Sequence, residues 1–230
     1  MNEFDYKIVR SNRRRTVSVQ VAPDNTVSVL VPRKLSQKRI EEIVERKRNW
    51  IIEKLRFNSE VRRLHKPKEY VSGEAFAYLG RNYRLKVLNG KPDGVSLKNG
   101  RFYVHTAKED GERAEHVRWQ LVDWYSAHAR EKLSERVEYH ADRIGVEYAQ
   151  VKVKYMKSQW GSCSHIGNIN LNWRIIMAPI SIVDYVVVHE LCHRTHPNHS
   201  PRFWREVQRV IPDYKERKNW LRIHGALLEV

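Results

Sequence analysis

The residues with the clearest chemical potential form the segment His189-Glu190-Leu191-Cys192-His193. In a helix, side chains four positions apart lie on the same face, so the two imidazoles can bind one metal ion. A Glu directly after the first His completes the pattern of a zinc site with a general base. We therefore predict that His189 and His193 bind Zn²⁺ and that Glu190 is the catalytic base for a water activated there.

A third metal ligand is expected in the chain that follows this helix. His199 comes six residues after His193, which leaves room for the helix to end before Pro197 and for the chain to turn back. His196 is the competing candidate, but Ser200-Pro201 can begin another helix directly after His199, which favours His199. Three protein ligands leave a fourth position for water, as in catalytic zinc sites.

Composition and charge limit the class of protein. The chain has 230 residues, of which 41% are hydrophobic, enough for a sizeable core. No apolar run approaches the roughly 20 residues that span a bilayer, and the N-terminus lacks the pattern of a signal peptide. Two cysteines are too few for a disulfide framework. We expect a cytoplasmic protein with no membrane partner.

The chain is strongly basic, with 43 Lys and Arg against 27 Asp and Glu and a net charge of +16. Such a surface attracts polyanions, so nucleic acid is a possible partner through the basic surface. The basic residues are dispersed, however, with short runs such as 13–15 and 46–48 far apart in the chain. Dispersed charge favours a diffuse field over a shaped groove.

Hydrophobic periodicity places these residues on elements. Strands over 6–10, 16–21 and 26–31 form a predicted three-strand meander, and Ser36 caps a single helix from Gln37 to Leu64. Short strands follow between residues 75 and 104, and then a long helix from Glu112 to Ile144.

The last third alternates between strands and helices. Strands over 151–156 and 168–173 flank a turn-rich segment, and Ser181 caps the helix that carries the His motif. The predicted fold class is α+β. Residues 1–110 form a strand-rich N-terminal region with one helix, and residues 111–230 form a helical, metal-dependent hydrolase domain with a small sheet.

The last third also resembles a known family, the YgjP-like metallopeptidases, which are relatives of the SprT-like and WLM zincins. The similarity is continuous over residues 151–225 and is carried by Trp160-Gly161-Ser162-Cys163-Ser164, by Gly167–Trp173, by Asp184–His193, and by Asn198–Trp204 with Pro212-Asp213-Tyr214. One departure is Gln159, where many relatives have a basic residue.

The resemblance implies a zincin-like domain with His189, His193 and His199 as zinc ligands and Glu190 as base. It also implies that the loop 160–164 and the strand that ends at Trp173 form walls of the cleft. On this basis Trp160, Ser162 and Asn172 are candidate substrate-binding residues, although aromatic residues at strand ends more often belong to the core. Cys192 is expected to be a buried small hydrophobe, and Cys163 a minor candidate for a ligand or a redox switch.

Three functions remain open from the sequence. The leading one is a zinc-dependent metallopeptidase. The second is a metal-dependent nucleoside triphosphate pyrophosphatase, which some relatives and the basic surface suggest, although no glycine-rich phosphate loop or acidic Mg²⁺ cluster is visible. The third is a DNA-associated peptidase, which the SprT-like resemblance permits although no separate DNA-binding module is visible. The substrate is accordingly a peptide or a nucleotide.

Overall fold

The computed structural model describes residues 4–22, 24–64, 67–90, 94–109 and 111–230. The chain forms two compact units, residues 1–66 and 67–230. The strands of residues 75–106 therefore pack with the residues that follow them, whereas the sequence analysis grouped them with the N-terminal region 1–110. Residue 110, the predicted end of that region, lies outside the described residues. Within the described residues, no helix is long and apolar enough to cross a membrane.

The first unit is a three-stranded sheet with two helices. Its elements are β1 (Lys7–Ser11), β2 (Ser18–Val21), β3 (Val27–Pro32), α1 (Gln37–Arg46) and α2 (Arg48–Leu64). The sheet order is β1-β3-β2, with β1 parallel and β2 antiparallel to β3. The predicted meander is therefore wrong. Three buried valines make β3 the most apolar strand and place it in the centre.

The predicted helix over 37–64 is divided at Lys47. Ser36 does cap its start, since its side chain accepts a hydrogen bond from the Arg39 N–H. The buried positions Ile40, Val44 and Ile51 keep one helical stripe across the break, which is why the sequence predicts a single helix.

The described residues of the second unit form two sheets packed with four α-helices. Its first sheet has the order β4-β5-β7-β6 and comprises β4 (Ala75–Tyr78), β5 (Arg81–Asn89), β6 (Gly94–Lys98) and β7 (Arg101–Thr106). Its second sheet has the order β8-β10-β9 and comprises β8 (Gln150–Lys154), β9 (Gly161–Cys163) and β10 (Asn168–Asn172). Its helices are α3 (Arg113–Ile144), α4 (Ile180–Cys192), α5 (Pro201–Val210) and α6 (Tyr214–His224). The molecule is thus a mixed α+β fold, as predicted.

Helix α3 is the central support of this unit. Its buried residues recur every fourth position, from Val117 and Leu121 to Leu133 and Val137, and they form one continuous stripe. The buried Tyr125 hydroxyl donates a hydrogen bond to the Ala77 carbonyl at 2.7 Å, which fixes β4 to α3.

Helix α4 begins two residues earlier than predicted. Pro179, with φ of −51°, is its N-cap, so Ser181 lies in the first turn and does not cap the helix. Val183, Val187 and Val188 are fully buried, and this helix therefore runs through the core with its C-terminal end at the cleft. It ends at Cys192, before Pro197, where the Thr195 hydroxyl donates to the Cys192 carbonyl.

Candidate metal centre

Three imidazoles converge at the C-terminal end of α4. The ring centres of His189 and His193 lie 5.1 Å apart, as expected one helical turn apart. The His199 ring lies 4.9 Å from His189 and 4.8 Å from His193, and the Nε2 atoms of His199 and His189 are 2.9 Å apart. The structure thus brings the three predicted ligands together, with one nitrogen of each within 4.8 Å of the others.

The segment after α4 returns His199 to the site. The His196 carbonyl lies 3.0 Å from His193 Nδ1. Because a carbonyl can only accept, Nδ1 carries the proton, and the Nε2 lone pair of His193 is free for a metal. Ser200 then caps α5 by accepting from the Phe203 N–H, and this fixes the chain directly after His199.

Two aromatic side chains of α5 support the imidazoles. Phe203 stacks on His193 with ring centres 4.6 Å apart and an interplanar angle of 28°. Trp204 stacks on His199 at 5.6 Å and 24°. Stacking limits ring rotation, so both imidazoles keep their orientation.

His189 is held in its neutral form. Burial lowers its pKa to about 3, with the neighbouring His193, His199 and Lys218 contributing in the same direction. Burial likewise lowers the pKa of His199, again with help from His193 and Lys218. Neutral imidazoles have a free lone pair, so this electrostatic environment suits metal binding. The second ring nitrogen of His189, Nδ1, is buried without a hydrogen-bond partner among the described residues.

These donors fit a divalent metal of the zinc type. Three imidazole nitrogens are ligands that Zn²⁺ accepts readily, and their nitrogen atoms already lie close enough together to share one ion. Cys163 does not belong to this cluster of ligand atoms among the described residues, and burial raises the pKa of its thiol. Cys192 is fully buried in α4, as expected.

Glu190 lies next to the three imidazoles and is almost completely buried, with 5% of its surface exposed. Burial raises the pKa of its carboxyl group to about 8. A nearby divalent cation would favour the carboxylate form and oppose this effect. A carboxyl group with a pKa moved toward neutrality can both accept and donate a proton near pH 7.

Strand β9 forms the opposite wall of the site. A Cβ atom at Gly161 would lie 2.6 Å from Glu190 Cγ and Oε1, so only glycine allows the strand to approach this closely. The cleft has a volume of about 410 Å³. The residues that line it are Gln159, Gly161, Ser162, Cys163, Ser164, His165, His189, Glu190, His193, Pro197 and His199.

The three candidate substrate-binding residues have different positions. Ser162 lines the cleft, where its hydroxyl accepts from the Asn170 side chain at 3.1 Å. Trp160 is not part of the lining; its ring lies against Gly225 and 5.9 Å from the Arg174 guanidinium.

Asn172 is buried, with 2% of its surface exposed, and is likewise absent from the lining. Its amide N–H groups donate to the carbonyls of Met156 and Gln159, and its oxygen accepts from the Arg174 N–H. It holds the loop before β9, and its donors are not available to a substrate.

Sequence reasoning missed two residues that shape this site. Gly161 is needed because of a contact between β9 and α4, which no local pattern reveals. Arg194 follows the motif directly and donates to the carbonyls of Glu147 at 2.9 Å and His165 at 3.2 Å. It thereby ties the end of α4 to the β9–β10 turn.

A mixed α+β domain with a buried HExxH helix and a returning histidine has the site architecture of a metallopeptidase. The YgjP-like metallopeptidase domain family matches residues 15–224 of the chain. The chain therefore belongs to this family.

Two solved structures are similar over part of the chain. The metallopeptidase zymogen abylysin of Pyrococcus abyssi is 27% identical, with a TM-score of 0.38, over 42% of this chain and 96% of that one. The metallopeptidase zymogen jannalysin of Methanocaldococcus jannaschii is 22% identical, with a TM-score of 0.36, over 41% and 96%. No curated protein matches the chain.

Proposed function

We propose that this chain is a zinc-dependent peptidase in which His189, His193 and His199 bind the metal and Glu190 is the general base. The observation that carries the proposal is the juxtaposition of three converging imidazoles with one buried carboxyl group in a single cleft. When bound there, zinc supplies a Lewis acid that polarises a carbonyl group and favours the ionisation of water.

Glu190 moves the proton. A carboxylate oxygen of Glu190 accepts a proton from the attacking water and then donates it to the amine nitrogen that leaves as the peptide bond breaks. Burial supports both steps, because it brings the proton affinity of the carboxyl group close to that needed near neutral pH. Gly161 keeps the space beside this carboxyl group free of a side chain.

Strand β9 supports a peptide as the substrate. It pairs with β10 on one side only and lies at the edge of its sheet. An edge strand has backbone N–H and C=O groups that an extended peptide can pair with, and the three residues of β9 all line the cleft.

The pyrophosphatase alternative has less support. A triphosphate requires several cations directed at it, and no Lys or Arg is among the residues that line the cleft. Mg²⁺ needs several oxygen donors, and among the described residues that line the cleft only Glu190 has a carboxyl group.

A paired substrate screen tests the proposal. The zinc-loaded protein is incubated with a mixture of unstructured peptides and, separately, with nucleoside triphosphates, and the products are identified by mass spectrometry. We expect new peptide termini that require the metal and no release of pyrophosphate. Hydrolysis of nucleotides alone would reject the peptidase. Zinc is tested against Mn²⁺, Co²⁺ and Mg²⁺ in the same screen.

A further inference from the structure

Lys218 is a cation at the edge of the site to which the proposed mechanism gives no role. It lies on α6 with its side chain exposed, and its ammonium nitrogen is 4.2 Å from the centre of the Trp204 ring. Trp204 in turn stacks on His199 at 5.6 Å. The cation–π contact therefore holds a positive charge beside the third imidazole.

The charge of Lys218 is available to a ligand. No carboxylate pairs with it among the residues that the structure describes. Its neighbour Arg217 differs, because it forms an ion pair with Asp213 at 2.9 Å. Arg194, near the β9–β10 turn, is also committed, since it donates to two backbone carbonyls.

The cleft does little to neutralise this charge. Lys218 itself lies outside the lining, and Glu190 is the one carboxyl-bearing residue among the described residues of that lining, where it is buried against Gly161. An ammonium group in such a setting attracts an anion, and its contact with Trp204 keeps it near His199.

We propose that Lys218 binds a carboxylate of the substrate and gives the cleft a preference for peptides with a negative charge within a few residues of the scissile bond. This inference rests on the proposed peptidase function. The Lys218 ammonium group can reach a carboxylate a few residues from the scissile bond, because an extended peptide advances about 3.3 Å per residue and the lysine side chain is long and flexible. The carboxylate comes either from an acidic side chain or from the C-terminus of the peptide.

Matched peptides and variants test this role. Three quenched fluorogenic peptides share one cleavable sequence: one has Glu near the scissile bond and an amidated C-terminus, one has Gln there and is amidated, and one has Gln with a free C-terminal carboxylate. The value of kcat/KM is measured for the zinc-loaded wild type, Lys218→Met, Lys218→Arg and the control Lys215→Met, which changes another exposed lysine of α6.

We expect the wild type to prefer one or both carboxylate peptides over the neutral one by about two- to fivefold, the range typical of an exposed ion pair. Lys218→Met should remove the preference, Lys218→Arg and Lys215→Met should keep it, and 0.5 M salt should weaken it. The preferred peptide identifies the source of the carboxylate.

Two results would overturn the proposal. One is an unchanged preference in Lys218→Met. The other is an equal loss of activity on all three peptides, because Lys218 would then only brace Trp204. If no peptide is cleaved at all, the proposed peptidase function fails instead. Fluorescence anisotropy of the same labelled peptides with zinc-loaded wild type and Lys218→Met then still measures whether the carboxylate contributes to binding.

Discussion

Glu190 packs directly against Gly161, and this contact defines the site at the scale of single residues. A Cβ atom at Gly161 would overlap the Glu190 carboxyl group, so the glycine determines where this proposed base can lie. The imidazoles of His193 and His199 are fixed in a comparable way, by stacking on Phe203 and Trp204 respectively. Each reactive group thus depends on a neighbour that takes no part in the chemistry.

Replacing Gly161 by Ala should displace Glu190 and inactivate the protein without removing the metal. We expect kcat/KM for a peptide to fall by at least about 100-fold, the low end of what a general base contributes, with zinc affinity within a few-fold of the wild type. Gly111→Ala is the control, because a Cβ atom there meets nothing within 4 Å. Normal activity of Gly161→Ala would show that the base does not need this space.

Replacing His199 by Ala should weaken zinc binding far more than the same change at His196. Loss of residues that only support a ligand costs about 10- to 100-fold in metal affinity, and loss of a ligand should exceed this. His196 contributes its backbone carbonyl, which His196→Ala retains. Competition with a chelator measures both affinities, and equal losses would remove His199 from the ligand set.

At the scale of elements, an ion-pair cluster fixes α4, the helix that carries His189 and His193, to α3. Asp184 on α4 accepts from Arg136 at 2.7 Å and lies 3.2 Å from His140 Nε2, and both partners belong to α3. Since Asp184 is one and a half turns before His189, this cluster restrains the position of α4 along α3. His140 is itself buried, with 4% of its surface exposed.

Asp184→Asn should therefore destabilise the fold in a pH-dependent way. Burial alone would raise the pKa of Asp184, but the hydrogen bonds and charges of His140 and Arg136 together hold it below its ordinary value. A lowered pKa in the folded state stabilises the protein above the unfolded pKa, and this contribution is lost as the pH falls through the folded value.

The difference in free energy of unfolding between wild type and Asp184→Asn should be about 1–3 kcal/mol at pH 7 and should shrink below about pH 4. Urea unfolding at a series of pH values measures it. Asp142→Asn on the exposed face of α3 is the control and should change little. A constant difference at all pH values would show that the Asp184 charge does not matter.

At the scale of the whole molecule, the metal centre belongs entirely to the second unit. All buried residues of the larger core lie between Phe76 and Leu228, and those of the smaller core lie between Val27 and Ile51. The first unit is also the more basic one, with 17 Lys and Arg against 8 Asp and Glu in residues 1–66.

A chain of residues 67–230 should accordingly fold and bind zinc without the first unit. We expect a cooperative thermal transition and a zinc affinity within about twofold of the full chain, because each unit has its own core. Calorimetry and chelator competition check both. An unfolded fragment, or one without zinc affinity, would show that the metal centre needs residues 1–66.

Local patterns were sufficient to predict most helices and the three histidines that converge at the end of α4. His189 and His193 share a helix and His199 follows within one loop, so spacing alone relates them. The caps at Ser36 and Ser200 are equally local. The observed arrangement of helices and sheets also agrees with the predicted α+β class.

Features that depend on residues far apart in the chain were not predictable in this way. The position of β1 beside β3, the commitment of Asn172 to the loop before β9, and the approach of Gly161 to Glu190 all arise from tertiary packing. Lys218 is a further example, because only the fold brings α6 close to His199.

The central claim is that Glu190 moves a proton for hydrolysis at a zinc site. Zinc-loaded wild type and Glu190→Gln, with metal content verified for each, are compared for the rate at which they cleave one peptide. Gln keeps the shape of the side chain but cannot accept the proton, so we expect retained zinc and a rate lower by about 10²–10⁴-fold. A zinc-loaded Glu190→Gln protein that cleaves the peptide at the wild-type rate would contradict the claim.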